Sequence, residues 1–178
     1  MIKKSTDDFP DEYLTLILMR HAKSDWSDTS LSDHERPLNR RGRKDSTRMA
    51  DWMIENDLVP DLVLCSTSSR TRATVEIMLD IWDSEPDVVH HENLYLASQD
   101  EILREVRTCG VDCDRIMVVA HNPGISHTAS MFAEKSIEMP TACVSAFDLA
   151  TDDWQNAGEE IDRRFRVLMR PKLLSSEP

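Results

Sequence analysis

The amino-acid sequence predicts an α/β fold, a three-layer α/β/α sandwich with a mostly parallel central sheet. Short apolar runs alternate with helical patterns four times along the chain, and this alternation is typical of a sheet that carries helices on both faces. The length of 178 residues corresponds to one domain. We therefore predict a single domain over residues 1–178, with tails at 1–13 and 175–178.

Six strands are predicted. Three of them, at 14–19, 61–65 and 115–120, are apolar runs, the pattern of strands buried on both faces, whereas the last strand alternates apolar and polar residues. No run is long enough to cross a bilayer. The predicted strands cover residues 14–19, 61–65, 87–90, 115–120, 144–149 and 165–169.

Four helices are predicted between the strands. In the first, small and apolar residues between positions 46 and 53 recur at i, i+3, i+4 and i+7, the spacing of a helix with one buried face. The third has a capping-box pattern at its start and Gly110 at its end. The helices are predicted to begin after Asn39, after the hydroxyl-rich segment 66–69, at the capping box 98–101 and after Gly124.

The charge balance argues against polyanionic partners. The chain has 21 Lys and Arg against 33 Asp and Glu, a net charge of −12. The electrostatic field of this negative charge repels nucleic acid and anionic membrane surfaces, so neither is a predicted partner. One stretch, 36–44, opposes this trend with five basic residues. It is compatible both with a solvated helix start and with a patch that steers an anionic substrate.

The N-terminal composition and the cysteines predict a cytoplasmic protein. The first 13 residues mix Lys with Asp and Glu and contain no apolar segment of signal-peptide length. The four cysteines form no tight pairing framework, which predicts reduced thiols. They are Cys65, Cys109, Cys113 and Cys143.

The glycines argue against common nucleotide-binding motifs. The four glycines, at positions 42, 110, 124 and 158, form neither G-x-G-x-x-G nor G-x-x-x-x-G-K-[ST], and the sequence contains no G-x-S-x-G. The sequence therefore predicts no nucleotide cofactor and no α/β-hydrolase elbow.

Three predicted strands end in polar side chains. Arg20 and His21 follow the first strand, segment 66–72 follows the second, and His121 and Asn122 follow the fourth. Ligands of open α/β sheets bind beyond the carboxyl ends of the strands. We therefore expect a candidate site where these three segments meet.

The residue types at these strand ends suit phosphoryl transfer. Arg20 and Arg70 can each bind phosphoryl oxygens with both arms of the guanidinium fork. His21 is the candidate nucleophile, because an imidazole whose other nitrogen is held can attack phosphorus in line. His121 can donate a hydrogen bond to a phosphoryl oxygen, aided by the N-terminus of the helix that follows. This chemistry requires no metal, and none is predicted.

Four motifs surround these residues. They are Leu-Met-Arg-His-Ala-Lys-Ser at 18–24, Arg-Pro-Leu at 36–38 with Arg-Gly at 41–42, Ser-Thr-Ser-Ser-Arg-Thr-Arg-Ala-Thr at 66–74, and Val-Ala-His-Asn-Pro-Gly at 119–124. In this order, over about residues 14–150, they resemble the motifs of the histidine phosphatase superfamily, and most of all its short, SixA-like phosphohistidine phosphatases. Ala22 and Thr67 depart from the usual Gly and Pro, and neither change touches an acting group.

The resemblance implies a phosphoglycerate mutase-like fold and a phosphatase without a cofactor. It implies that His21 becomes phosphorylated during turnover, that Arg20 and Arg70 clamp the phosphoryl group, and that water then releases phosphate. It also implies that His121 completes the pocket. Larger members use a carboxylate after the third strand as general acid, which implies Glu92 here by approximate alignment.

The resemblance and the short length predict protein phosphohistidine as the substrate. The chain has little sequence to spare for a lid, and an open site suits phosphate on a protein. An imidazole leaving group also needs a weaker acid than an alkyl ester does. A phosphomonoesterase for a small phosphorylated metabolite and a non-catalytic phosphoprotein-binding module are the alternatives. The predicted partner is therefore a phosphorylated protein or a small phosphorylated substrate.

Some neighbouring residues allow two interpretations. Arg72 is an alternative phosphate ligand, although the family spacing selects Arg70. Lys23 and Ser24 either touch the phosphate or are exposed, and they stay outside the catalytic set. Trp26 is a candidate for the mouth of the site. A metal site is a further hypothesis, but no spacing among its candidate ligands matches a known pattern. These candidates are His34, His90, His91, His121 and His127.

Overall fold

The computed structural model describes residues 9–174, and a six-stranded sheet runs through this part of the chain. Its order is β3-β2-β4-β1-β5-β6, with the bounds given below. Among these strands, only β5 runs against the others. The structure therefore confirms the mostly parallel sheet. The strands are β1 (Leu14–Arg20), β2 (Leu62–Ser66), β3 (Asp87–His91), β4 (Arg115–Ala120), β5 (Val144–Leu149) and β6 (Arg163–Met169).

The predicted helices are present, and their first turns show why they begin where they do. The side chain of Asn39 accepts a hydrogen bond of 2.8 Å from the Gly42 N–H and caps the first helix. Ser98 and Glu101 form the predicted capping box of the third. The helices are α1 (Arg40–Glu55), α2 (Ser69–Leu79), α3 (Gln99–Cys109) and α4 (Gly124–Ala133).

The helices form one layer on each face of the sheet. Leu16 and Leu18 of β1 belong to a buried core shared with α3 and α4, whereas Ile17 and Met19 belong to a core shared with α1 and α2. Successive side chains of a strand point to opposite faces, so a central strand between two helical layers must be apolar throughout. This explains the continuous apolar runs and confirms the three-layer sandwich.

Two close backbone contacts shape the loops at the carboxyl edge of the sheet. Gly42 of α1 packs against the carbonyl of Lys23, and Gly124 of α4 packs against the carbonyl of Ala97. At either position a Cβ atom would overlap the carbonyl oxygen. The helix starts can therefore approach the strand-end loops only because these residues are glycines.

Part of the predicted N-terminal tail packs against the edge of the sheet. Within 9–13, the rings of Phe9 and Tyr13 pack edge to face at 5.7 Å. The guanidinium of Arg164 on β6 lies 4.7 Å from the Phe9 ring centroid. Positions 1–8 and 175–178 of the predicted tails lie outside the described residues.

No helix between residues 9 and 174 combines the length and the apolar composition that crossing a membrane requires.

Candidate active site

A cavity of about 320 Å³ opens at the carboxyl ends of β1, β2 and β4. We call it the strand-end cavity. It brings together four of the five predicted site residues, namely Arg20, His21, Arg70 and His121. Its walls also include Lys23, Ser24, Trp26, Asp33, Leu96, Asn122 and Thr141.

The contacts of His21 determine which ring nitrogen is free to react. Nδ1 lies 2.7 Å from the carbonyl oxygen of Ala22, and a carbonyl can only accept, so Nδ1 carries the proton. Nε2 is then unprotonated, and it accepts a hydrogen bond of 3.3 Å from Nε of Arg70. The residue therefore presents a nitrogen lone pair beside a guanidinium.

Arg70 is the centre of the hydrogen-bond network. It lies in the first turn of α2, and its Nη2 donates to Oδ2 of Asp33 at 2.9 Å and to Nδ1 of His121 at 3.2 Å. Its Nη1 donates to the backbone carbonyl of Asp33. A buried guanidinium fork thus connects both site histidines to the loop that precedes α1.

His121 is also a neutral ring. Because Arg70 can only donate, Nδ1 of His121 is the acceptor, and its Nε2 carries the proton that is donated to Oγ of Ser66 at 2.8 Å. The rings of His21 and His121 lie 5.0 Å apart, centroid to centroid. The two neutral imidazole rings are therefore close neighbours, and each accepts a hydrogen bond from the guanidinium of Arg70.

Arg20 leaves part of its donor capacity unused. Its Nη1 donates to the carbonyl of Met139 at 3.1 Å, but its Nε is buried and has no hydrogen-bond partner among the described residues. Burial, with a further contribution from the charge of Arg70, lowers the pKa of the Arg20 guanidinium. Unpaired buried donors cost free energy, so an anion in the strand-end cavity would be stabilised here.

Sequence reasoning missed Asp33 and Tyr95. The Tyr95 hydroxyl donates to Oδ2 of Asp33 at 2.7 Å. Burial acts to raise the pKa of Asp33, but the hydrogen bonds from Tyr95 and Arg70 outweigh it and keep that pKa below its ordinary value. A signal was available, since residues 32–35 form a capping box around the 3-10 helix that carries Asp33.

The structure does not bring Glu92 to the strand-end cavity. Glu92 is exposed and lines a neighbouring cavity of about 510 Å³, together with Arg72. The strand order explains this placement. β3 is the edge strand, and β2 separates it from β4 and β1, so Glu92 at its carboxyl end lies to one side of Arg20, His21 and His121. That Glu92 acts as the general acid stays a prediction; its side chain lines a different cavity from that of His21, and Arg70, not Arg72, is the arginine in contact with His21.

The histidines considered as metal ligands do not converge. Among residues 9–174, one group of three potential ligands lies close together, His91, Glu105 and Cys109. Nδ1 of His91 is 3.0 Å from a Glu105 oxygen, and its Nε2 is 3.4 Å from the Cys109 sulfur. The two nitrogens point away from each other across the ring, so this arrangement is a hydrogen-bonded chain between β3 and α3.

The site histidines should make the protein less stable in mild acid. Burial, reinforced by the two guanidiniums, lowers the pKa of His21 to about 4, and burial lowers that of His121 to about 3. Between pH 6.5 and 4 the unfolded chain binds protons that the folded chain does not, so the free energy of unfolding falls as the pH drops. For His21 the loss is about 2 kcal/mol between pH 7 and 5.

Urea unfolding at pH 7 and pH 5 measures this effect. We expect His21→Gln to reduce the pH-dependent loss relative to wild type. The matched control His127→Gln replaces an exposed histidine and should leave most of the loss in place. Equal pH dependence in His21→Gln and wild type would contradict the assignment of a buried neutral ring.

Comparison with known proteins gives the family. A model of the histidine phosphatase superfamily (branch 1) matches residues 16–95. An uncharacterized chloroplastic protein of Arabidopsis thaliana is 33% identical over 151 residues, which cover 80% of this chain and 69% of that protein. The chain belongs to the histidine phosphatase superfamily. This membership supports a phosphatase hydrolase with a phosphorylated substrate, either a protein or a small molecule.

Solved structures share the fold. The structure of a phosphohistidine phosphatase SixA from Nakamurella multipartitia has a TM-score of 0.79 at 24% identity, covering 91% of this chain and 98% of that one. A protein histidine phosphatase SixA complexed with tungstate has a TM-score of 0.76 at 20% identity, covering 91% and 100%. These likenesses confirm the predicted fold class.

Proposed function

We propose that this chain is a metal-independent phosphatase that forms a covalent phosphohistidine at His21 and acts on protein phosphohistidine. The observation that carries the proposal is the free lone pair of His21 Nε2 beside the guanidinium of Arg70. Arg20 lines the same cavity with an unpaired buried donor. The nucleophilic nitrogen of His21 and the guanidiniums of Arg20 and Arg70 thus border the same strand-end cavity.

In the first step, Nε2 of His21 attacks phosphorus in line, and the bond from phosphorus to the substrate nitrogen breaks. The leaving nitrogen keeps the electron pair. Arg20 and Arg70 stabilise the charge that spreads over the peripheral phosphoryl oxygens. His121, whose Nδ1 accepts a hydrogen bond from Nη2 of Arg70, completes the pocket by holding that guanidinium beside the phosphoryl group.

In the second step, water attacks the phosphorus and the bond to Nε2 of His21 breaks, which returns the lone pair to the ring and releases inorganic phosphate. The hydrogen bond from Nδ1 to the carbonyl of Ala22 keeps Nε2 as the reacting atom in both steps. The carboxylate of Asp33 lies in the cavity wall and can accept a proton from the water.

The substrate class follows from the weak acid catalysis of the site. Among the described residues that line the strand-end cavity, Asp33 is the one carboxyl group, and its lowered pKa keeps it ionised at neutral pH. An alkyl phosphate needs a proton donor for its alkoxide, whereas the imidazole of phosphohistidine can take a proton on its own ring nitrogen and leave neutral. This difference favours a P–N substrate over a small phosphate ester.

The test compares hydrolysis of free phosphohistidine with that of an alkyl phosphate ester by the full chain, with and without EDTA. We expect kcat/KM for phosphohistidine to exceed that for the ester by about 10²-fold or more, which corresponds to the contribution of a missing general acid. EDTA should have no effect. Preferential hydrolysis of the ester would favour the metabolite phosphatase, and loss of activity in EDTA would contradict the metal-independent mechanism.

A further inference from the structure

Two large apolar side chains stand exposed at the mouth of the strand-end cavity. Trp26 is 60% exposed and Leu96 is 56% exposed, and both line the cavity. The other large apolar side chains that are exposed within residues 9–174 lie outside the cavity wall. They are Ile54, Val89, Val111 and Leu173.

The Trp26 side chain is held in its exposed position. The Arg36 guanidinium lies 4.0 Å from its ring centroid, a cation–π contact, and its Nε1 donates to Oγ of Ser24 at 3.2 Å. Ser24 is itself fixed by a β-bridge to Leu38. Exposure of the indole is therefore not the result of a loose loop.

The backbone of Leu96 is strained. Its φ of 53° lies in the left-handed region, which costs a residue with a Cβ about 1–2 kcal/mol. The strain does not bury the side chain, which stays exposed. Strain of this kind is found where function requires a particular side-chain position.

The charges at the mouth indicate the character of the partner. Among the described residues, Arg20, Lys23 and Arg70 line the cavity against the single carboxylate of Asp33, and the Arg36 guanidinium lies against the ring of Trp26 at the mouth. This cationic mouth belongs to a chain with a net charge of −12. An acidic group next to the phosphate would be attracted here and repelled by most of the remaining surface.

We propose that Trp26, Leu96 and Arg36 form a docking rim for the protein segment that carries the phosphohistidine. The rim binds a segment with an apolar side chain next to the phosphorylated residue and an acidic side chain nearby. Trp26 and Leu96 bury the apolar side chain, and Arg36 pairs with the acidic one. This inference rests on the proposed function and names the kind of segment that the site selects.

The experiment uses three substrates with the same leaving group. They are free phosphohistidine, a nonapeptide with phosphohistidine flanked by leucine and aspartate, and a nonapeptide with phosphohistidine flanked by alanines. The readout is kcat/KM for each peptide divided by kcat/KM for free phosphohistidine, so that changes in the chemical step cancel. For the wild type we expect the leucine–aspartate peptide to have a ratio about tenfold above the alanine peptide.

The variants assign this preference to the rim. Trp26→Ala and Leu96→Ala should each lower the ratio for the leucine–aspartate peptide by roughly fivefold to tenfold through KM, and Arg36→Gln should lower the same ratio. The matched control Val111→Ala changes an exposed residue that is 70% accessible and remote from the cavity. It should leave all ratios at the wild-type values.

Two negative outcomes are distinguishable. If the wild type hydrolyses all three substrates with equal kcat/KM, or if Trp26→Ala and Leu96→Ala leave the ratio unchanged, the docking rim is wrong and the proposed function stands. If the wild type releases phosphate from none of the three substrates, the proposed function is wrong and the docking rim with it.

Discussion

His21→Ala should lose turnover of phosphohistidine by about 10⁴-fold or more, the scale on which enzymes lose rate when the nucleophile is removed. The variant keeps Arg20, Arg70 and His121, so phosphate binding should survive while the covalent step is lost. Initial rates over a range of substrate concentrations, with tungstate inhibition or binding as a separate readout, measure the two effects.

Folding must be checked in the same variant. His21 is buried and makes hydrogen bonds to Ala22 and Arg70, so the thermal midpoint of His21→Ala should be compared with that of wild type. A folded His21→Ala protein that retains more than about a hundredth of wild-type kcat would rule out this residue as the nucleophile.

Arg70→Ala should have the second largest effect, a loss of about 10²–10³-fold in kcat/KM. The variant removes a phosphoryl ligand and also the donor that contacts Nε2 of His21, Nδ1 of His121 and the carboxylate of Asp33. Arg70→Lys should recover little of the loss, because a single ammonium group cannot replace a planar fork with several directed donors.

The matched control is Arg72→Ala. Arg72 lies two positions further along α2, is exposed and lines the neighbouring cavity. Arg72→Ala and Arg70→Ala each remove one positive charge from α2. A difference between the two variants therefore reports the specific contacts of Arg70 and not the overall electrostatic field of the protein. Equal losses in Arg70→Ala and Arg72→Ala would contradict the assignment of Arg70 as the phosphoryl ligand.

The sequence predicted the parts of the fold that depend on periodicity and on chain order. Continuous apolar runs identified the strands that the two helical layers bury, and Asn39 and Ser98 identified helix starts through their caps. Arg20, His21 and His121 could be placed together because parallel strands deliver their carboxyl ends to one edge of the sheet. The predicted topology of the sheet alone was sufficient to place these three residues together.

The remaining site residues come from loops, where position depends on tertiary contacts. Asp33 reaches Arg70 because a 3-10 helix in the loop between β1 and α1 turns it inward. Tyr95 follows a short 3-10 helix after β3 and contacts Asp33 through its hydroxyl. Glu92 lies outside the strand-end cavity, because the third strand in sequence occupies the edge of the sheet.

The mechanism depends on a covalent phosphohistidine at His21, and this intermediate can be trapped. The protein is mixed rapidly with a labelled phosphoramidate, quenched in alkaline denaturant, where phosphohistidine survives, and mapped by peptide mass spectrometry. We expect the label on His21 in wild type and no label in His21→Ala. Two results would contradict the mechanism. One is label on His121 alone, and the other is phosphate release by the wild-type protein with no protein-bound label at any mixing time.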